Sequence, residues 1–199
     1  ATRWRGESVL PHFERIRAAF GDLERTRCER VSHPLYDYPV PWPITCGYIE
    51  AGDWGSSVPA NLRSEWRLGV APGETVEEVE REFEDQLAKL VEADDWLSTN
   101  PPTFERFSIQ FEPAQIDADE KIVMVLQNSM IEKGITDTDP RGVTYGADSR
   151  HYIMEGIPTV LFGPGNINQA HFPDETIEWS EVLTAGDVLV EFVHQFLSE

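Results

Sequence analysis

The residues best suited to chemistry sit in one stretch, Tyr145 to Glu175. It contains Gly146-Ala147-Asp148-Ser149-Arg150 and an apolar run that starts at Gly156-Ile157-Pro158 and ends in Gly163-Pro164-Gly165. Ala170-His171-Phe172-Pro173-Asp174-Glu175 follows. A neutral imidazole is a common metal ligand, and open α/β sheets place ligands at the carboxyl ends of buried strands. His171 is therefore the leading metal-ligand candidate. A loop histidine bonded to Asp174 or Glu175 is the competing reading. A zinc needs three or four protein ligands, and His12, His33, His151 and His194 are scattered with no His-x-x-x-His pair. Arg150 has the planar fork that grips a carboxylate, but in an acidic chain it could equally form an ion pair. Asp148 is placed to cap a short helix. The Gly163–Gly165 turn could expose backbone amides to an anion or serve only as a turn. Ser56, Ser57 and Ser149 lie in no Gly-x-Ser-x-Gly elbow, which leaves a serine hydrolase little support.

The elements around these residues follow from periodicity. Over Glu7–Arg30, Val9, Phe13, Ile16, Phe20 and Leu23 recur three and four apart, a helix with Pro11 in its first turn. A proline- and aromatic-rich loop covers 33–43. Strands are predicted at Ile44–Ala51 and Leu62–Val70. Thr75 and Glu78 have the spacing of a capping box. The helix they open buries Val76, Val79, Phe83, Leu87 and Leu90. Phe107, Ile109 and Phe111 alternate with polar residues and predict a third strand. Two helices over an antiparallel sheet is the natural α+β packing for residues 1–112.

Residues 113–119 read as a linker to a second domain, 120–199. There the pattern predicts helices at Glu120–Gly134, Asp148–Glu155 and Ser180–Leu197, with a strand buried on both faces at Ile157–Phe162. That domain has too few strands for a complete parallel sheet, so the expected fold is the closing part of an α/β domain that begins upstream of Ala1.

Composition narrows the function classes. Apolar residues make up 40% of the chain, enough for a packed core. No apolar run is long enough for a membrane span, and the N-terminus has no signal-like apolar region. Two cysteines, Cys28 and Cys46, are too few for a disulfide framework and fit a reducing cytoplasm. With 36 acidic against 16 basic residues the net charge is −20, which argues against nucleic acid and anionic membranes as partners. Acids spread along the whole chain fit a halophile's cytoplasm, where molar salt screens charges over about 3 Å.

The order of these motifs is specific. The chain resembles the co-catalytic zinc amidohydrolases of the acetylornithine deacetylase, succinyl-diaminopimelate desuccinylase, aminoacylase and carboxypeptidase family. The resemblance rests on Gly146–Arg150, on Gly156–Gly165, on Ala170–Glu175, and on a lid signature at Ala51–Pro59 and Gly69–Thr75. It implies a ferredoxin-like lid, two helices on an antiparallel sheet, through which the protein forms a homodimer. The closing part of the α/β zinc-peptidase-like catalytic domain follows that lid.

The implied activity is hydrolysis of the amide of an N-acyl amino acid or small peptide-like substrate. Two zinc ions, or another divalent metal such as cobalt, serve that reaction, with a carboxylate as general base. His171 is then the last metal ligand, and Arg150, Gly163 and Asn166 bind substrate. No residue of this chain is assigned a catalytic role, because the family's His-x-Asp, its Glu-Glu pair and its lid histidine belong before residue 1. The position of the family's lid arginine falls at Gly69, with Arg67 nearby on the same strand face. The chain is thus expected to be inactive alone, with a non-catalytic dimerisation module as the alternative. If the acidic surface is an adaptation to salt, the melting temperature followed by circular dichroism rises markedly between low and molar KCl. An unchanged melting temperature contradicts that reading.

Overall fold

The computed structural model describes residues 3–198 and has a mixed α/β architecture. Helix α1 (Leu10–Arg30) is followed by strands β1 (Ile44–Ala51) and β2 (Leu62–Leu68). Then come α2 (Val76–Ala93), the short α3 (Asp95–Thr99), α4 (Lys121–Glu132), α5 (Ser149–Met154) and α6 (Trp179–Ser198). Packing divides the chain into two units. One runs to Pro113 and includes Val143–Tyr145; the other comprises Ala114–Gly142 and Gly146 onward.

In the first unit the local signals are obeyed. Helix α1 starts at Leu10 rather than Glu7, because Ser8 Oγ accepts the Leu10 N–H and Pro11 occupies the first turn. At α2 the capping box is complete: Thr75 Oγ1 accepts the Glu78 N–H at 3.2 Å, and Glu78 Oε2 accepts the Thr75 N–H at 2.9 Å. Strands β1 and β2 pair antiparallel, from Ile44 opposite Leu68 to Ala51 opposite Leu62, with a bulge between Cys46 and Tyr48. Ile44, Trp66 and Leu68 meet Phe20 of α1 and Phe83 of α2. The Phe20 and Phe83 rings stack 3.7 Å apart, and Trp66 meets Phe20 edge-on at 5.0 Å.

Arg27 lies in the core of this unit with no exposed side-chain surface. Its Nη1 donates to Glu82 Oε2 at 2.7 Å, and its Nη2 donates to Glu74 Oε2 at 2.7 Å and to the Gly69 carbonyl at 3.1 Å. One guanidinium therefore joins α1, the end of β2 and the start of α2. Partial burial pushes the Glu82 carboxyl up, but hydrogen bonds and charge from Arg27 and Arg30 outweigh it and hold the group below its ordinary value. Its contribution to stability is present above the ordinary glutamate range and fades as pH falls through the lowered value.

Two predicted strands do not form. Phe107–Phe111 has no ladder partner among the described residues, and Ser108 at φ 66° breaks the extended run. Just before it, Arg106 is tied to Glu80 and Glu77 of α2. Ile157–Phe162 is also unpaired among the described residues, and Ile157 and Leu161 are about half exposed. An apolar run becomes a strand only where neighbouring strands accept its N–H and C=O groups.

In the second unit α4 packs on α6, and Val123, Val125 and Leu126 of α4 and Ala185 and Val188 of α6 are buried. Lys133 Nζ donates to Glu191 Oε2 at 2.9 Å, and Gln195 Nε2 joins Glu132 and Glu191. No helix of the described residues is long and apolar enough to cross a membrane.

Arg27 yields a direct test of this packing. Arg27→Met leaves two carboxylates without their shared cation and is expected to destabilise the chain by about 3 kcal/mol in urea unfolding. Arg27→Lys should cost less, because an ammonium can serve one carboxylate but not the fork. A loss under about 0.5 kcal/mol for the methionine variant, within the range of ordinary surface substitutions, would show that the pair contributes little.

Candidate active site

The predicted site residues fall on two neighbouring pieces of the second unit. Helix α5 carries Arg150, and the loop between Ile157 and α6 carries Gly163, Asn166 and His171. Asp148 sits at the N-cap position of α5 but makes no capping hydrogen bond; its backbone is already helical there. Arg150 Nη1 donates to the Ala147 carbonyl at 3.0 Å and lies 3.7 Å from Asp148 Oδ1. Its side chain is 12% exposed against 94% for Asp148. The guanidinium is therefore held by the chain just before its own helix, and the ion pair with Asp148 is loose and solvent-screened.

Beyond Gly163 the loop is a series of turns. Gly165, at φ +97°, donates its N–H to Glu181 Oε2 of α6 at 3.0 Å, so that amide is occupied by a carboxylate of the protein. A Cβ at Gly165 would also press on Ile177 at 3.4 Å. Gly163 has open space around it. Asn166 Oδ1 accepts the Asn168 N–H at 3.0 Å and starts a 3-10 turn at Ile167–Gln169.

His171 follows in an unusual conformation. Phe172 N–H bonds back to the Gln169 carbonyl at 3.1 Å, with Ala170 at φ −57°, ψ 133° and His171 at φ 67°. These are the angles of a type II turn, whose third position favours glycine or asparagine. A histidine there carries backbone strain of about 1–2 kcal/mol. Its side chain is exposed and bonds to neither Asp174 nor Glu175.

Metal fit can be judged from the donor set. Among the described residues no group of three or more His, Cys, Asp or Glu side chains is arranged to hold a metal. His171 alone cannot satisfy a zinc ion, so the residues of this chain by themselves do not fit the group. A shallow hollow of about 300 Å³ in this unit lies against Gln115, Asp117, Glu120, Ile153 and Gly156; its walls include none of the four predicted site residues.

In the first unit Gly69 stands where the resemblance puts an arginine. Its N–H donates to the Pro43 carbonyl at 2.8 Å, and any Cβ there would come within 2.9 Å of Trp42 and Pro43 backbone atoms. The approach of two chain segments requires glycine, and no larger side chain fits. Arg67 is exposed on β2, opposite Thr45.

Comparison with known proteins decides the family. Residues 17–195 match the peptidase family M20/M25/M40. The chain belongs to this family. It is 28% identical to an N-formyl-4-amino-5-aminomethyl-2-methylpyrimidine deformylase of Halalkalibacterium halodurans, over 96% of this chain and 46% of that protein. A protein of the same description from Bacillus subtilis is 27% identical over 97% of this chain and 47% of its own length. An acetylornithine deacetylase of Photorhabdus laumondii is 24% identical over 88% and 42%. This M20 chain thus spans just under half the length of the relatives it matches. Those relatives are amide hydrolases by name, and the family is in general metal-dependent.

Gln169 and Glu181 escaped the sequence reading. Both are polar residues beside motif positions, and only the folded loop shows what they bond. The conformation of His171 supplies a test of its own. His171→Gly should leave stability within about 0.5 kcal/mol or raise it, since glycine adopts this turn without strain. His171→Val should cost about 1–2 kcal/mol, because a β-branched residue resists positive φ. Urea unfolding checks both, and a strongly destabilising glycine variant would contradict the assigned turn.

Proposed function

We propose that this chain is the lid and C-terminal part of a metal-dependent amide hydrolase, and that it does not turn over substrate without the further length that its relatives have. One observation carries the reading: the family match spans residues 17–195 and so includes the loop that presents Asn166 and His171. The helix–strand–strand–helix order of the first unit supports a ferredoxin-like lid, and a two-stranded sheet with no further strand on either edge among the described residues supports pairing with a second copy. The unpaired Ile157–Phe162 run supports an α/β sheet completed by strands from elsewhere in the parent.

Within that reading, the chain's residues bind and orient. Arg150, anchored to the Ala147 carbonyl, is the residue of this chain with the guanidinium chemistry to hold a substrate carboxylate. Gly163 and Asn166 line the substrate cleft, where the space around Gly163 admits close approach. His171 supplies one ligand of a zinc site whose other ligands come from the parent chain. The substrates named for the relatives carry formyl or acetyl groups on nitrogen, which favours a short N-acyl group on an amino acid or a comparable small amine. Parent and chain act in a salt-rich cytoplasm, consistent with the acidic surface.

The test is hydrolysis of N-acetylornithine and other N-acetyl amino acids with added zinc, by this chain and by a version extended at its N-terminus to the length of the relatives. Amine release by the extended protein alone is expected, and Arg150→Ala in it should raise KM about tenfold or more. Zinc-dependent turnover by the 199-residue chain would overturn the account.

A further inference from the structure

The loop that carries His171 holds a shape that its backbone resists, so something outside the strained residue must maintain it. Backbone turn hydrogen bonds within 166–175 join residues only three apart: Gln169 N–H to the Asn166 carbonyl, Ala170 N–H to the Ile167 carbonyl, Phe172 N–H to the Gln169 carbonyl, and Glu175 N–H to the Phe172 carbonyl. Such bonds fix each turn but not the path of the whole loop. Glu181 anchors one end by accepting the Gly165 N–H. The other end is closed by the Gln169 side chain. Its Oε1 accepts both the Thr176 N–H at 3.2 Å and the Thr176 hydroxyl at 3.3 Å, seven residues along. Gln169 is thus bonded through three of its groups: main-chain N–H, main-chain carbonyl and side-chain oxygen. His171 lies inside the span that this side chain closes.

We infer that Gln169 is the positioning residue of the candidate site: its side-chain oxygen clamps the 169–176 loop and so holds His171 in the left-handed turn that presents its imidazole. The inference rests on reading His171 as a site residue, but the clamp itself can be measured without that reading. The chemistry needs an acceptor of this length at position 169. Glutamate supplies one; methionine, of nearly the same shape, does not.

The experiment compares Gln169→Met and Gln169→Glu by amide hydrogen exchange in the 199-residue chain. Thr176 and Phe172 amides in the methionine variant should exchange about fivefold faster, the loss expected of one neutral hydrogen bond. The glutamate variant should stay within about twofold of the parent sequence, because its carboxylate accepts the same two donors. The amide of Val188, a fully buried residue of α6, is the control for intact packing. If Val188 also accelerates in Q169M, Thr176→Ala carries the test instead, since it deletes the hydroxyl partner and should speed Phe172 exchange. Unchanged Thr176 and Phe172 exchange in Q169M, or a glutamate variant as fast as the methionine one, overturns the clamp. In the N-terminally extended enzyme Q169M should lower kcat by about tenfold or more with KM nearly unchanged, and Q169E should restore it. Faster exchange with unaltered kcat overturns the positioning role. Absence of turnover by the extended parent sequence would instead refute the hydrolase reading and leave the exchange result to decide the clamp.

Discussion

A buried guanidinium is the constraint on which the first unit depends. Arg27 has no exposed side-chain surface, and a charge in that position needs partners. Glu74, Glu82 and the Gly69 carbonyl supply them to its two terminal nitrogens from three different segments, while Nε stays buried without an acceptor. Moving any of them leaves a charge unpaired, so α1, the end of β2 and the start of α2 have one mutual arrangement. The apolar contacts beside it, Phe20 on Phe83 with Trp66 at the edge, drive burial without specifying that arrangement as tightly. Gly69 belongs to the same knot: its carbonyl faces Arg27 and its amide faces Pro43, with no room for a Cβ. A position that could have carried an arginine toward substrate is therefore committed to packing.

The second unit follows a different logic. Its helices pack through a narrow apolar seam, while the loop from Gly163 to Thr176 is exposed and held mostly by hydrogen bonds. That loop keeps a histidine in a conformation glycine would adopt at no cost. Strain of this kind persists where surrounding bonds over-determine the backbone, and here Glu181 and Gln169 provide them.

What the sequence revealed and what it concealed divide along physical lines. Local signals were legible: the Thr75–Glu78 box, the 3.6-residue periodicity of α1, α2, α4 and α6, and β1 to the residue. Long-range pairing was not. Phe107–Phe111 and Ile157–Phe162 have the alternation or apolar content of strands, but a ladder needs a neighbour that sequence pattern cannot supply. Arg27 was overlooked although it continues the helical face of Phe20 and Leu23, because a charged residue there is normally taken as solvated. Within the site, the motif order pointed to His171 and Arg150 as residues. The turn angles of one and the Ala147 anchor of the other depend on backbone geometry, which composition does not encode.

Membership of the M20/M25/M40 family and the half-length match to its relatives support the proposal made above, in which His171 would be one ligand of a metal centre that this chain does not complete. Zinc titration by calorimetry, on this chain and on the N-terminally extended protein, tests that claim most directly. The account predicts no stoichiometric tight binding by the 199-residue chain and two ions per chain in the extended protein, with the uptake weakened by His171→Ala. Tight stoichiometric zinc binding by this chain alone would contradict it.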